Sequence, residues 1–169
     1  MLKNSGEPPA ADTLWAKAKR RGGFSDTWRQ GFRHELASAL AWLVNHPESS
    51  ALTTDLVAYL IATHHGKIRL SLRSMPGEIE PDETDRLFAR GVWDGDRLPA
   101  VELADGSTVG PTNLDLAVMR MGDSSGGTSW LSRMLSLRDD PALGPFRLSF
   151  LETLLRAADG RASASAKGT

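Results

Sequence analysis

The sequence predicts a mainly α domain that carries one loop-rich insertion with short β segments. Three observations lead there: apolar residues recur at helical spacing up to Gly66, they do so again from Asn113 onward, and most of the chain between is acidic and rich in turn formers. At 169 residues the chain fits one domain with a real core, and its formal net charge of −1 excludes attachment to nucleic acid by bulk charge, so any polyanion contact must be local. The absence of cysteine removes disulfides, thiolate metal sites and cysteine nucleophiles, and suits a reducing cytoplasm. No apolar run is long enough to span a bilayer and MLKNSGEPPAADTLW lacks the pattern of a signal peptide, so a cytoplasmic protein without a membrane partner is expected.

Residues 1–24 read as a flexible lead-in and first basic helix bearing Lys17, Lys19, Arg20 and Arg21, residues 25–160 as the domain, and residues 161–169 as a disordered tail. Ser25 is placed to cap a helix through TWRQGFRHELASALAWLVNH, whose Phe32, Leu36, Ala39, Leu40 and Leu43 share one face, and His46 caps its end before Pro47. A second helix, capped by Thr53 or Thr54, runs through DLVAYLIATHH and stops on Gly66, the residue type that best adopts the left-handed conformation past a helix end. KIRLSLRS then alternates in period two, as a short strand or extended segment does. The acidic excursion from Pro76 to Ser107 is expected to hold a short helix around Asp85 to Ala89 and a hairpin near Asp94-Gly95. Helical signals return weakly in NLDLAVMRM, more clearly in TSWLSRMLSLRDD and strongly in PFRLSFLETLLRAAD, where Pro145 suits a first turn and Asp159 closes the helix.

The chain has four histidines, and His64 and His65 stand side by side at an apolar helix end. Neutral imidazole is the commonest ligand for divalent transition metals, and burying it near a helix end costs little. Adjacent helical positions point about 100° apart, so both reach one ion only where the helix frays, as Gly66 permits. The competing reading has one histidine capping the helix C-terminus and the other satisfied in the core. His34, between Arg33 and Glu35, is either a further ligand or a member of a surface charge cluster. Asp159 continues the edge of an apolar stripe one turn after Leu155, where a carboxylate is costly unless a metal, Arg156 or Arg161 meets it. Three histidines and one aspartate from separate helices offer nitrogen and oxygen donors that suit Mn, Ni, Co, Fe or Zn. Lys67, Arg69 and Arg73 alternate just beyond, and either grip phosphates beside a metal or guard an exposed edge against strand pairing. Trp93 and Trp130 read as core or interface rather than base-stacking platforms.

The words GFRHELAS, DLVAYLIATHHGKIRLSLRSMPGE, ARGVWDGDRLP and GPFRLSFLETLLRAADGRAS, in that order over residues 31–163, resemble the HD-type nuclease domain of CRISPR-associated type I helicase-nucleases, in the lineage where that domain closes the polypeptide. The resemblance implies an HD-domain-like helical bundle with two divalent transition metals that cuts single-stranded DNA during type I antiviral interference. Its implied partners are a helicase component and a CRISPR effector complex. It also implies that His34 matches the histidine of an arginine-histidine-glutamate motif, that His64 and His65 match paired histidines, and that Asp159 matches the aspartate closing the metal site. The family's upstream histidine and His-Asp dipeptide have no counterpart, since no histidine precedes His34 and no His-Asp occurs anywhere.

The chain is therefore expected to be the C-terminal part of such a domain. Either an upstream fragment supplies the missing ligands, or the chain is an inactive binding module, or it is an HD-type nucleotide phosphohydrolase with a single metal. Should it cleave DNA alone, Glu35 or Glu152 is the substitute carboxylate to look to. Without upstream cover, Tyr59 and Ile61 are expected in an exposed apolar patch through which the chain self-associates or docks.

Overall fold

The computed structural model describes residues 29, 31–47, 51–102, 106–123 and 127–165; the expected lead-in, its basic cluster and the Ser25 cap lie outside them. Among the described residues the chain is mainly helical, with short antiparallel β ladders, and no helix is long and apolar enough to cross a membrane. Helix α1 (His34–Asn45) begins later than its apolar pattern predicts. Gly31 sits at φ +83° and Arg33 is extended, so Phe32 enters the core from the turn before the helix rather than from the helix itself. His46 ends α1, stacking on Trp42 with centroids 3.5 Å apart and donating from Nδ1 to the Trp42 carbonyl at 2.9 Å.

Helix α2 (Ala51–Thr63) opens before Thr53 and Thr54, which therefore lie inside its first turn instead of capping it. It runs antiparallel to α1: Trp42 near the end of α1 donates to the Thr54 carbonyl at 3.1 Å, while His34 at the start of α1 meets His65 just past the end of α2. Leu36, Ala39 and Leu40 of α1 join Ala58, Tyr59 and Ala62 of α2 in one core. The segment after Gly66 is irregular, not a strand; Ile68 and Leu72 are buried while Leu70 is exposed, so only alternate members of its apolar set reach the core.

The insertion departs most from expectation. No helix forms around Asp85; Phe88–Ala89 is strand β1, paired with β2 (Val92–Trp93) as Phe88 opposite Trp93 and Ala89 opposite Val92. The reversal falls on Arg90-Gly91, with φ +54° and +72°, the positive pair that a tight two-residue hairpin demands. Asp94-Gly95 instead turns the chain into a second hairpin. There β3 (Arg97–Leu98) pairs with β6 (Thr112–Asn113), and β4 (Val101–Glu102) pairs with β5 (Thr108–Val109), in one continuous register. Pro99 and Pro111, each lacking an amide hydrogen, lie between the two ladders and interrupt them. This hairpin meets the end of α1 where the Asn45 amide donates to Thr112 Oγ1 at 2.9 Å.

The weak signal in NLDLAVMRM yields only a 3-10 turn (Ala117–Met119). Helix α3 (Trp130–Asp139) is capped by Ser129, whose hydroxyl accepts from the Ser132 amide, and it buries Trp130, Met134 and Leu137. Its Arg133 donates to the buried Asp55 of α2 at 2.6 Å, and the Trp130 indole donates to the Arg69 carbonyl at 2.7 Å. Helix α4 (Gly144–Ser165) has Pro145 in its first turn as expected but does not end at Asp159; it takes in the first residues of the supposed tail, whose alanine and serine suit a helix. Among the described side chains of α4, Leu148 and Glu152 are buried, and every residue from Thr153 to Ala164 is exposed.

The expected apolar patch is corrected. Tyr59 is 7% exposed because α4 lies against it, and Ile61 is partly buried, while the exposed large apolar residues are spread over the surface, with Phe146, Phe150, Leu154 and Leu155 on α4 and Met121 among those elsewhere.

The first hairpin is seated directly on the chain entering α1. A Cβ on Gly91 would lie 2.4 Å from the Phe32 backbone nitrogen, whereas one on Gly77, also at positive φ, would meet nothing. Gly77→Ala should therefore cost only the left-handed strain, about 1 kcal/mol. Gly91→Ala must also push two backbones apart and should cost about 3 kcal/mol or more. Urea unfolding of the two variants measures the gap, and equal losses would mean that the hairpin moves freely on α1.

Candidate metal centre

Two consecutive histidines follow α2 because the helix stops there. The Gly66 amide donates to the Thr63 carbonyl at 2.6 Å, with Gly66 at φ +69°, and this tight turn carries His64 and His65 out of helical geometry. Their ring centroids are 4.0 Å apart with planes tilted by 42°, closer than successive helical side chains would stand. His64 Nδ1 lies 2.6 Å from the Ile61 carbonyl. A carbonyl only accepts, so that nitrogen carries the hydrogen and the neutral ring is left with a bare Nε2. The same bond satisfies an end carbonyl of α2, so capping and ligand readiness are one arrangement rather than competing ones.

His34 comes from the other side, as the first residue of α1. Its Nε2 is 3.2 Å from Nε2 of His65, and its ring centroid stands 4.9 Å from that of His65 and 5.4 Å from that of His64. Two such nitrogens share one hydrogen, so at least one presents a lone pair to the space between the rings. One ligand atom from each of His34, His64 and His65 falls within 4.8 Å of the others, and all three rings are half-buried. This spacing and burial would suit one divalent ion held by these three nitrogens.

Behind His34 stands Glu35. It is fully buried, its Oε2 is 3.5 Å from His34 Nδ1, and neither oxygen has a hydrogen-bond partner among the described residues. An orphaned buried carboxylate is costly, and a cation on the far side of the His34 ring would offset that cost. The sequence holds the signal for it: Glu35 precedes Ala39 by one turn and so lies on the apolar stripe of α1, where a carboxylate needs a reason.

The remaining candidates separate. Asp159 is exposed on α4 and is not part of the histidine group, because the helix runs on past the turn to Ser165 instead of ending at it. Glu152 is buried but committed elsewhere: it accepts from Arg69 at 2.7 and 3.2 Å and from the Tyr59 hydroxyl at 3.2 Å. Arg69 is thus tied down, while Lys67 and Arg73 are exposed. Arg156 of α4, considered in the sequence only as a partner for Asp159, lies beside Gly66: a Cβ there would be 3.3 Å from its Nη1. No family model matches the chain, and no curated protein or solved structure matches it.

The Tyr59–Glu152–Arg69 network ties α2, α4 and the segment leaving the histidine turn together, and it is sensitive to pH at both ends. Burial, then the charge of Glu152, pushes the Tyr59 hydroxyl up to about 12 from its ordinary 10.0. Burial alone would raise the Glu152 carboxyl, but the hydrogen bonds and charge of Arg69, aided by Tyr59 and Arg156, hold it below its ordinary 4.5. A raised pKa in the folded state contributes stability complete below the unfolded value and lost as pH climbs, so Tyr59 should weaken the fold between pH 10 and about 12. The lowered Glu152 contributes stability present above its ordinary 4.5 and lost as pH falls through its folded value. Unfolding midpoints across both limbs should show Tyr59→Phe abolishing the alkaline loss and Glu152→Gln flattening the acid one. The acid effect should shrink in high salt, because the Arg69 side chain is half-exposed and screened.

Proposed function

We propose that the chain holds one divalent transition metal at His34, His64 and His65 and acts as a metal-dependent phosphodiester hydrolase of the HD nuclease type on single-stranded DNA. One observation carries the reading: three imidazoles with ligand atoms within 4.8 Å, backed by a buried carboxylate that has no hydrogen-bond partner among the described residues. The chemistry that a bound ion supplies is polarisation of a phosphoryl oxygen and acidification of water. The chain's own residues prepare for it. The Ile61 carbonyl fixes the His64 tautomer, Glu35 favours a hydrogen on His34 Nδ1 and so a bare Nε2, and the half-buried rings leave an open approach from solvent. Manganese, nickel, cobalt, iron and zinc all suit such a nitrogen set.

The donors fit one ion. The second metal implied by the resemblance has no comparable cluster among the described residues, so the proposal assigns its histidine and His-Asp ligands to an upstream fragment. A helicase component that exposes the strand, within a CRISPR effector complex, completes the proposed setting. A second reading, a metal-holding binding module without turnover, draws support from the exposed Asp159, which leaves the cluster without a carboxylate ligand of its own.

Two measurements test this. Titration with Co2+ should give about one tight site, weakened at least about tenfold in His65→Ala, and no binding by the wild type would overturn the proposal. Cleavage of single-stranded DNA should be slow and metal-dependent and should vanish in His65→Ala; binding without any cleavage decides for the module. Glu35→Leu separates the carboxylate's two effects. By removing an orphaned buried charge it should stabilise the metal-free protein by about 1–3 kcal/mol, while reducing the rise in melting temperature that Co2+ produces. A loss of stability without metal would show that Glu35 is satisfied some other way.

A further inference from the structure

From the position of one arginine beside the histidine turn, we infer that Arg156 is the phosphate-gripping residue of this centre. The inference rests on the metal-dependent phosphodiesterase reading above and names how that site would hold its substrate. Arg156 projects from α4 over Gly66, the residue immediately after His65. A Cβ at Gly66 would lie 3.3 Å from Arg156 Nη1, 3.6 Å from Cζ and 3.8 Å from Nη2, so both ends of the guanidinium fork are packed against the turn that presents the paired histidines. The nearest acid is Glu152, whose Oε1 is 3.7 Å away, too far for a hydrogen bond. That carboxylate already takes two N–H groups from Arg69 and the Tyr59 hydroxyl. Arg156 therefore makes no hydrogen bond among the described residues, and its side chain is 51% exposed.

An arginine with its donors unspent, steadied but not consumed by a nearby carboxylate, matches the paired non-bridging oxygens of a phosphodiester. Its neighbours are less suited. Arg69 spends its fork on Glu152, and Lys67 and Arg73 are exposed. A phosphodiester held by Arg156 would lie next to the histidine cluster, where a metal would act on it.

The test uses the full chain, Co2+ and a short fluorescent single-stranded oligodeoxynucleotide, with Arg156→Ala, Arg156→Lys and Arg73→Ala. Arg156→Ala should weaken oligonucleotide binding about tenfold and lower its salt dependence. Co2+ affinity and melting temperature should stay at wild-type values. Arg156→Lys should recover only part of the loss, since a point charge lacks the fork, and Arg73→Ala should change less than Arg156→Ala. Wild-type affinity in Arg156→Ala, with Co2+ still bound, would overturn the inference and leave the metal reading standing. An equal loss of Co2+ affinity would also overturn it, by showing that Arg156 only supports the turn. Binding that depends on Arg156 in a protein that takes up no Co2+ would support the phosphate grip while sinking the metal reading.

Discussion

Arg29 reaches from the chain before α1 into the insertion, where its guanidinium forks onto Asp96 at 2.7 and 2.9 Å and donates to the Gly91 carbonyl at 2.7 Å. The same group lies 3.8 Å from the centroid of Trp93, and both charges are almost wholly buried. Burial pulls the guanidinium below its ordinary pKa, with Asp96 working against that pull. A buried pair of this kind adds little net stability over an apolar substitute, but breaking one partner leaves a stranded charge. What it specifies is position. With Asp96 held, the first hairpin is pressed against the chain at Phe32, the Arg90 carbonyl accepts from the Arg33 amide at 3.0 Å, and the next residue is His34. The strained Arg90 is secured from its other side as well, its amide donating to Glu78 at 2.8 Å. The insertion is therefore the support that sets where the first histidine begins its helix.

That support is also where the sequence was hardest to read. Helical faces were legible, because Leu36, Ala39 and Leu40, Ala58 and Ala62, and Trp130, Met134 and Leu137 obey a period that burial rewards directly. The helix stop at Gly66 was legible because few other residues adopt its backbone cheaply. The hairpin was misplaced because Asp-Gly is the stronger local turn signal, yet Arg90-Gly91 took the reversal. No local propensity favours arginine in a left-handed conformation; its two backbone hydrogen bonds to distant residues do. In KIRLSLRS the period-two pattern predicts Ile68, Leu70 and Leu72 on one buried face, but the irregular segment buries only Ile68 and Leu72 and leaves Leu70 exposed. At the site, the three histidines could be picked from the sequence, while Asp159 could not be placed, since nothing in RAADGRASAS says whether the helix stops or continues.

The histidine cluster and Glu35 make sense together. Three neutral imidazoles can be brought within 4.8 Å of one another without the repulsion that three charged ligands would suffer, so the fold can assemble the cluster before anything binds. A buried carboxylate behind one of them adds the opposite bias, a negative field toward which a cation is drawn. The cost of that carboxylate is borne by the core, in a helix whose neighbouring buried positions are Leu36 and Ala37. Orienting His34 and stabilising the fold thus pull residue 35 in different directions, and a glutamate on this apolar face serves the first.

Glu152 makes a related division among the arginines. A carboxylate on the buried side of α4 can satisfy only a few donors, and here Arg69 and Tyr59 occupy both of its oxygens. Arg69 is thereby drawn into the scaffold that joins the segment after the histidine turn to α2 and α4. Arg156, one helical turn further along α4, feels the same negative charge at 3.7 Å, a separation too long for a hydrogen bond. It lies over Gly66 with its nearest approach to Glu152 at 3.7 Å, and that distance leaves its hydrogen-bond donors unspent on the carboxylate. Two arginines that look alike in sequence end with different chemistry because one carboxylate lies close enough to bond the first and only to attract the second.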